Sequence, residues 1–200
     1  MNVDLGALNP DCPIIATTPL LVGFDGSFTA FGWAIVTIEA HPKVRHAGCA
    51  RTKPPTKSAH LYAADKDGPR VDSIAYTILA VLDEALSYGV PVIVAIESPA
   101  GSQSSAGAKG LGLAYGISRT ACAAKRLIPI TVQAGEVRIT IGKDKDASKA
   151  DVAKGVFELT GWTSNETTGP AKEGASDAAG VALTAILNHP VVSAFRSARS

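Results

Sequence analysis

Two hundred residues, 46% of them hydrophobic and 18% charged, suffice for one domain with a sizeable core and are too few for two domains of ordinary size. Nineteen Lys and Arg against eighteen Asp and Glu leave a formal charge of +1, so no overall basic or acidic field marks a partner, and any charged surface must arise locally. The three cysteines, Cys12, Cys49 and Cys122, have neither metal-ligand spacing nor even pairing, which excludes a zinc module and a disulfide framework and fits a reducing compartment.

In chain order, residues 1–19 carry Pro10, Pro13 and Pro19 among small and polar neighbours and predict an irregular N-terminal arm. The chain does not open on a basic start followed by an apolar run. Nor does any uninterrupted apolar stretch approach the roughly 18 residues that span a bilayer, so the sequence predicts a soluble cytoplasmic protein with no membrane partner. One domain is expected over 20–190, followed by a short tail over 191–200.

The apolar run Leu20–Phe24 ends at Asp25-Gly26-Ser27, and a second run covers Gly32–Ile38; together they predict a hairpin with a longish connection. A third strand is expected near Val44–Arg51. Residues 53–70 are rich in Pro, Lys, Asp and Ser and show no sustained period, which predicts a surface loop. From Val71 the apolar positions Ile74, Ala75, Ile78, Leu79, Leu82, Ala85 and Leu86 recur at helical spacing, and Gly89 and Pro91 stop the helix.

Val90–Ile96 is nearly all apolar and β-branched, as a strand covered on both faces must be, and it ends on Glu97-Ser98-Pro99. A Gly/Ser/Ala-rich loop over 101–112 then leads into a helix running to about Arg126, and Ile128–Val132 is the next strand. Val137–Gly142 opens a further helix or a connection. Ser148 is placed to cap a helix over Lys149–Leu159 that stops at Gly161, Thr163–Gly174 is expected as a loop, and the last helix is expected from Ala175 to Asn188.

Three carboxylates interrupt apolar segments: Asp25 at the end of the first strand, Glu97 at the end of the buried strand, and Asp177 in the first turn of the last helix. Each alone has a structural explanation, as a turn residue, a strand-end charge and a first-turn acid favoured by the helix dipole. The element order strand, strand, strand, helix, strand, helix, strand, helix can, however, set the ends of the first and fourth strands side by side with the last helix crossing them. Converging carboxylates are what a pair of hard divalent cations requires for phosphodiester hydrolysis.

Four blocks then resemble one family in the same order. Leu21-Val22-Gly23-Phe24-Asp25-Gly26-Ser27 with Gly32-Trp33-Ala34 is similar to the opening of the RuvC-type Holliday-junction resolvases, and Val94-Ala95-Ile96-Glu97 to their second acidic motif. Lys109-Gly110-Leu111-Gly112 with Ala114-Tyr115-Gly116 resembles the helix that follows. Ser176-Asp177-Ala178-Ala179 with Ala182 and Leu183 resembles their closing acidic helix, so the likeness spans roughly Leu20 to Asn188.

The resemblance implies an α/β, RNase H-like fold: a mixed five-stranded sheet flanked by helices. It also implies an endonuclease of DNA recombination and repair, acting on branched DNA as a two-fold homodimer. Asp25, Glu97 and Asp177 would be catalytic and, with a fourth group, hold two Mg²⁺ or Mn²⁺ ions, leaving 5′-phosphate and 3′-hydroxyl ends. The family pattern departs at that fourth group. The acid or His usually found three residues before the last Asp is Gly174 here, so Glu173, four residues before and on the same face if the helix extends back that far, becomes the candidate ligand; if Asp177 matches the earlier acid instead, the later one is Gly180. The aromatic wedge after the strand-end Glu is also missing, its place taken by Ser98-Pro99-Ala100.

Lys125, Arg126, Arg138, Lys143, Lys145, Lys149 and Lys154 form a basic stretch, interleaved with Asp144, Asp146 and Asp151 as a solvated helix face would be. By resemblance, Arg138 and Lys149 stand where the family has basic residues that meet DNA or assist the reaction, Lys149 being the closer match; Lys143, Lys145 and Lys109 are further candidates for DNA contact. Trp33 falls in a strand pattern and reads as core, and the four histidines show no ligand spacing. Two other classes share part of the pattern. ATP-binding proteins of the actin and sugar-kinase superfamily open with a similar Asp-Gly-Ser turn but ordinarily need two related domains, and a non-catalytic junction-binding protein would tolerate the missing acid. Cleavage of structured RNA uses the same metal chemistry.

Overall fold

In the computed structural model, residues 18–53, 67–99, 101, 104–164 and 170–197 are described; residues 1–17 of the arm expected over 1–19 and most of the expected loop over 53–70 lie outside them. β1 (Leu20–Asp25) and β2 (Ala30–Thr37) pair as the antiparallel hairpin, with Asp25 opposite Gly32, and β3 (Val44–Arg51) adds to β2 antiparallel with an irregularity at Ile35/Val36. β4 (Val92–Glu97) lies parallel to β1 on its other side, and β5 (Ile130–Val132) lies parallel to β4. The result is a mixed five-stranded sheet in the order β3-β2-β1-β4-β5.

Both sheet faces are covered, which explains why β1 and β4 are apolar at nearly every position. On one face Leu20, Val22, Phe24, Trp33, Ile35, Val94 and Ile96 meet Ile74, Ile78 and Leu82 of α1 (Gly68–Ser87) and Ala114 and Cys122 of α2 (Ser105–Ala124). On the other, Leu21, Ala34, Val36 and Ala95 meet Ala178, Ala182 and Ile186 of α5 (Pro170–Asn188), along with Val137 of α3 (Ala134–Thr140) and Val152 and Val156 of α4 (Lys149–Thr160). The alternation of strand side chains between faces thus produces two cores separated by one sheet.

Local signals set most helix ends. Ser104 accepts a hydrogen bond from the Gly107 amide at the start of α2, and Ser148 and Asp151 form a reciprocal capping box at the start of α4. Gly89 and Gly161, at φ 67° and 69°, follow α1 and close α4 in the left-handed conformation that glycine adopts without a steric penalty.

Several boundaries differ from the sequence expectation. α2 begins at Ser105, inside the stretch 101–112 expected as a loop, and α3 begins at Ala134 rather than Val137. α1 begins at Gly68 rather than Val71, with Pro69 in its first turn. α5 begins at Pro170, five residues before Ala175, because Gly174 lies inside the helix rather than ending a loop. The expected tail is helical as α6 (Pro190–Ser197), with Val192 fully buried against the α5 side of the core. No single helix among the described residues is long and apolar enough to cross a membrane.

Candidate active site

Parallel pairing of β1 with β4 aligns Phe24 with Ile96, so the next residues, Asp25 and Glu97, emerge together at the carboxyl ends of the two central strands, where open α/β sheets place their ligands. Their carboxyls stand close enough for Glu97 to raise the pKa of Asp25. α5 reaches the same edge because it lies unusually close to the sheet. A Cβ on Gly23 would stand 2.3 Å from the Ala178 carbonyl oxygen, and one on Gly32 2.0 Å from that of Gly174. Only glycine allows this approach, and it brings Asp177 over the strand ends.

Lys149, the first residue of α4, completes the cluster from the side. Its Nζ stands 2.9 Å from Asp177 Oδ2 and 3.4 Å from Glu173 Oε2. Glu173 and Asp177 are four residues apart on α5, and the early start of that helix puts both on the face that meets Lys149. Gly174 faces elsewhere: a Cβ there would meet Cys49 Sγ at 3.0 Å and the Ala30 carbonyl at 3.4 Å, so the position three before Asp177 points at the β2–β3 edge.

Asp25, Glu97 and Asp177 line a cleft of about 280 Å³ that also includes Ser27, Ala134, Val137, Arg138, Ala147, Ser148, Lys149, Val152 and Val181, whereas Glu173 is not among its lining residues and reaches the cluster only through Lys149. The cleft therefore gathers Asp25, Glu97, Asp177, Lys149 and Arg138 from five separate elements. Lys143 and Lys145, in the connection between α3 and α4, are not among its lining residues. Lys109 lies on the first turns of α2 with its Nζ 2.6 Å from Asp67 Oδ2, so its charge is already engaged. Ser27 and Ser148 are cleft residues that the sequence marks only as a turn residue and a helix cap. Trp33 is buried, as its strand pattern requires.

Electrostatics at this edge are those of crowded acids. Burial, then the hydrogen bond and charge of Glu97, push the Asp25 carboxyl well above the usual range, with Lys149 opposing. Burial also raises Asp177, although the Lys149 hydrogen bond pulls against it. For Lys149, partial burial works to lower the ammonium pKa, but Asp177, Asp25 and Glu173 together raise it. An ammonium thus already stands where these carboxylates need positive charge.

The donor set suits hard divalent cations, since it consists of carboxylate oxygens whose mutual repulsion a cation relieves. In the present side-chain conformations no group of three His, Cys, Asp or Glu among the described residues is close enough to hold one ion. For these acids to hold an ion, their side chains would have to rearrange, with Asp177 released from the Lys149 ammonium.

Sheet order, the covering helices and the acidic strand ends define an RNase H-like α/β domain. Its fold is that of the RuvC-like resolvases. Thermus thermophilus RuvC in complex with a Holliday junction substrate superposes with a TM-score of 0.66 at 22% identity over 82% of this chain and 91% of that one. Another Thermus thermophilus RuvC structure gives a TM-score of 0.64 at 22% identity over 82% and 92% of the respective chains. Ydc2, the yeast mitochondrial Holliday junction resolvase, gives 0.58 at 11% identity over 94% and 87%. No protein-family model and no curated protein sequence matches the chain.

Proposed function

We propose that this protein is a metal-dependent, structure-selective endonuclease that hydrolyses phosphodiester bonds in branched DNA such as four-way junctions. The observation that carries this reading is the meeting of Asp25, Glu97 and Asp177 at one sheet edge, beside Lys149 and Arg138, in a fold whose solved relatives include a RuvC bound to a Holliday junction. Asp25, Glu97, Asp177 and Glu173 would hold two Mg²⁺ or Mn²⁺ ions. When bound, such ions lower the pKa of an attacking water and stabilise the leaving 3′-oxygen.

The chain's own contributions follow from its geometry. Arg138 and Lys149 flank the acids and would orient the scissile phosphate, while Lys143 and Lys145, and Lys109 on leaving Asp67, are the proposed contacts along the DNA backbone. Val137, Val152 and Val181 wall the cleft with apolar surface, which strengthens charge interactions inside it. The Asp25 carboxyl, raised by burial and by Glu97, must be ionised to act as a ligand, so cleavage should increase with pH through its titration. Paired cuts on symmetric strands call for a two-fold dimer, and the apolar groove between α1 and α2, lined by Leu79, Leu113 and Ile117, is the proposed contact face.

The test is a panel of labelled four-way, three-way, flap and linear DNA, plus structured RNA, with and without Mg²⁺ and with mapped product ends. The expected outcome is Mg²⁺-dependent cuts near the branch point leaving 5′-phosphates, with linear duplex intact. Binding of junctions without cleavage by the wild type would instead make it a junction-binding protein, and preferential cutting of RNA would move the substrate class. Glu173→Gln is expected to abolish cleavage while leaving junction affinity within about twofold, since it removes a proposed metal ligand but no proposed DNA contact. Near-normal cleavage by that variant would remove Glu173 from the site.

A further inference from the structure

The turn that follows Asp25 is held from outside the cleft by a residue that none of the acidic motifs includes. Phe28, the fourth residue of Asp25-Gly26-Ser27-Phe28, has its carbonyl oxygen turned into a small polar cluster, where it accepts from Thr52 Oγ1 at 2.5 Å and from Arg70 Nη2 at 3.0 Å. Arg70 also donates from Nε to Thr52 Oγ1 at 3.1 Å, and its guanidinium lies over the Phe28 ring, 4.1 Å from the centroid. Thr52 in turn donates its amide to the Thr29 carbonyl at 3.0 Å, fixing the next residue of the turn.

The arginine is itself pinned. Its side chain is only 12% exposed, and Asp67, 3.6 Å from its Nη1, also holds Lys109 of α2 at 2.6 Å. Beneath Phe28, a Cβ on Gly110 of α2 would come within 3.0 Å of the Phe28 Cβ, so the ring is seated on a position that must stay small. A planar guanidinium with several fixed donors can stack and hydrogen-bond at once, which an ammonium cannot. Arg70 therefore ties the N-terminus of α1 to the end of β3, and both to the turn that carries Asp25 and Ser27 into the cleft.

We propose that Arg70 is a positioning residue for the reaction, acting through the 26–30 turn to hold Asp25 and Ser27 against Glu97, without touching substrate. The inference rests on the nuclease reading above. A misplacement of about 1 Å in a reacting constellation costs on the order of a hundredfold in rate, so slackening this turn should appear in turnover before it appears in binding.

The test compares wild type, Arg70→Gln and Arg70→Lys on a four-way junction under Mg²⁺, alongside amide hydrogen exchange of the same proteins. In Arg70→Gln, kcat is expected to fall roughly tenfold or more with KM within about twofold, and exchange at residues 26–30 to accelerate while β4 stays protected. Arg70→Lys keeps the charge but not the fork, and should recover part of the loss. If Arg70→Gln fails to fold, Thr52→Val, which removes one donor to the same carbonyl, carries the test, with a smaller fall in kcat of about threefold. A folded variant with wild-type kcat, or with raised KM and unchanged kcat, overturns the proposal, as does faster exchange spread evenly over the domain. Should the wild type cut none of the branched substrates, the nuclease reading falls, and the exchange pattern alone decides whether Arg70 holds the turn.

Discussion

Asp25→Asn should lower Mg²⁺-dependent cleavage of a four-way junction by roughly a thousandfold or more, and should at the same time raise the melting temperature of the metal-free protein at neutral pH. The loss follows from removing a carboxylate at the centre of the acidic cluster. The gain follows from burial and from Glu97, which together make the ionised Asp25 unfavourable in the folded chain. Its folded pKa is raised above the ordinary value of 3.8, so the native state binds that proton more tightly than the unfolded state. Below the unfolded value the group costs nothing. As pH rises through the interval between the unfolded and folded values stability declines, and it remains reduced above them. A neutral amide escapes that decline, so the stabilisation by Asn should be present at pH 7 to 8 and vanish in acid, as thermal melts of both proteins across pH would show. Relief of an unfavourable buried charge is worth on the order of 1 to 3 kcal/mol, and a chain of this size gains about 2 to 4 °C per kcal/mol. A site arranged for function at the expense of stability has this signature; an Asp that only closes a turn would show the opposite sign.

Gly32→Ala should be among the most damaging single methyl groups in the domain, and the one that acts most directly on the acids. Its Cβ would lie 2.0 Å from the Gly174 carbonyl oxygen and 2.6 Å from the carbonyl carbon, both backbone atoms that cannot rotate away. α5 would have to lift from the sheet, and it carries Glu173 and Asp177 with it. Overpacking of this kind costs about 1 to 3 kcal/mol or more, and the displacement of two acids should cut turnover by on the order of a hundredfold even where the protein remains folded. Gly135→Ala is the contrasting substitution. Gly135 lies in α3 with nothing within 4 Å of the added methyl, and there Ala should stabilise by roughly 0.5 to 1 kcal/mol. Chemical denaturation and single-turnover cleavage of the two variants measure both effects.

The strand ends were legible in the chain because an acid at the end of a run such as Val92–Ile96 has no packing reason to be there, and because parallel pairing of β1 with β4 follows from the order of elements. The sheet and the approximate positions of α1, α2, α4 and α5 were legible for the same reason: two-sided burial leaves continuous apolar strands, and Ser148, Gly89 and Gly161 punctuate the helices, whereas α6 fell in the expected tail. The start of α5 was not. Gly174 looks like a helix boundary in sequence, yet it is helical because Gly32 and Cys49 press against it, a tertiary contact that no local pattern encodes. That misreading matters, since only a helix reaching back at least to Glu173 puts that residue on the face of Asp177. The engagement of Lys109 by Asp67 and the hold of Arg70 on Phe28 were equally hidden, because each joins residues about forty positions apart whose types are common on any surface.

The most direct test of the account is diffraction from crystals soaked in Mn²⁺, recorded at the manganese absorption edge. Anomalous peaks among the carboxylates of Asp25, Glu97 and Asp177, with the Lys149 ammonium moved off Asp177, are the predicted result. Saturating Mn²⁺ that leaves no peak there, and the Lys149 pairing intact, would contradict it.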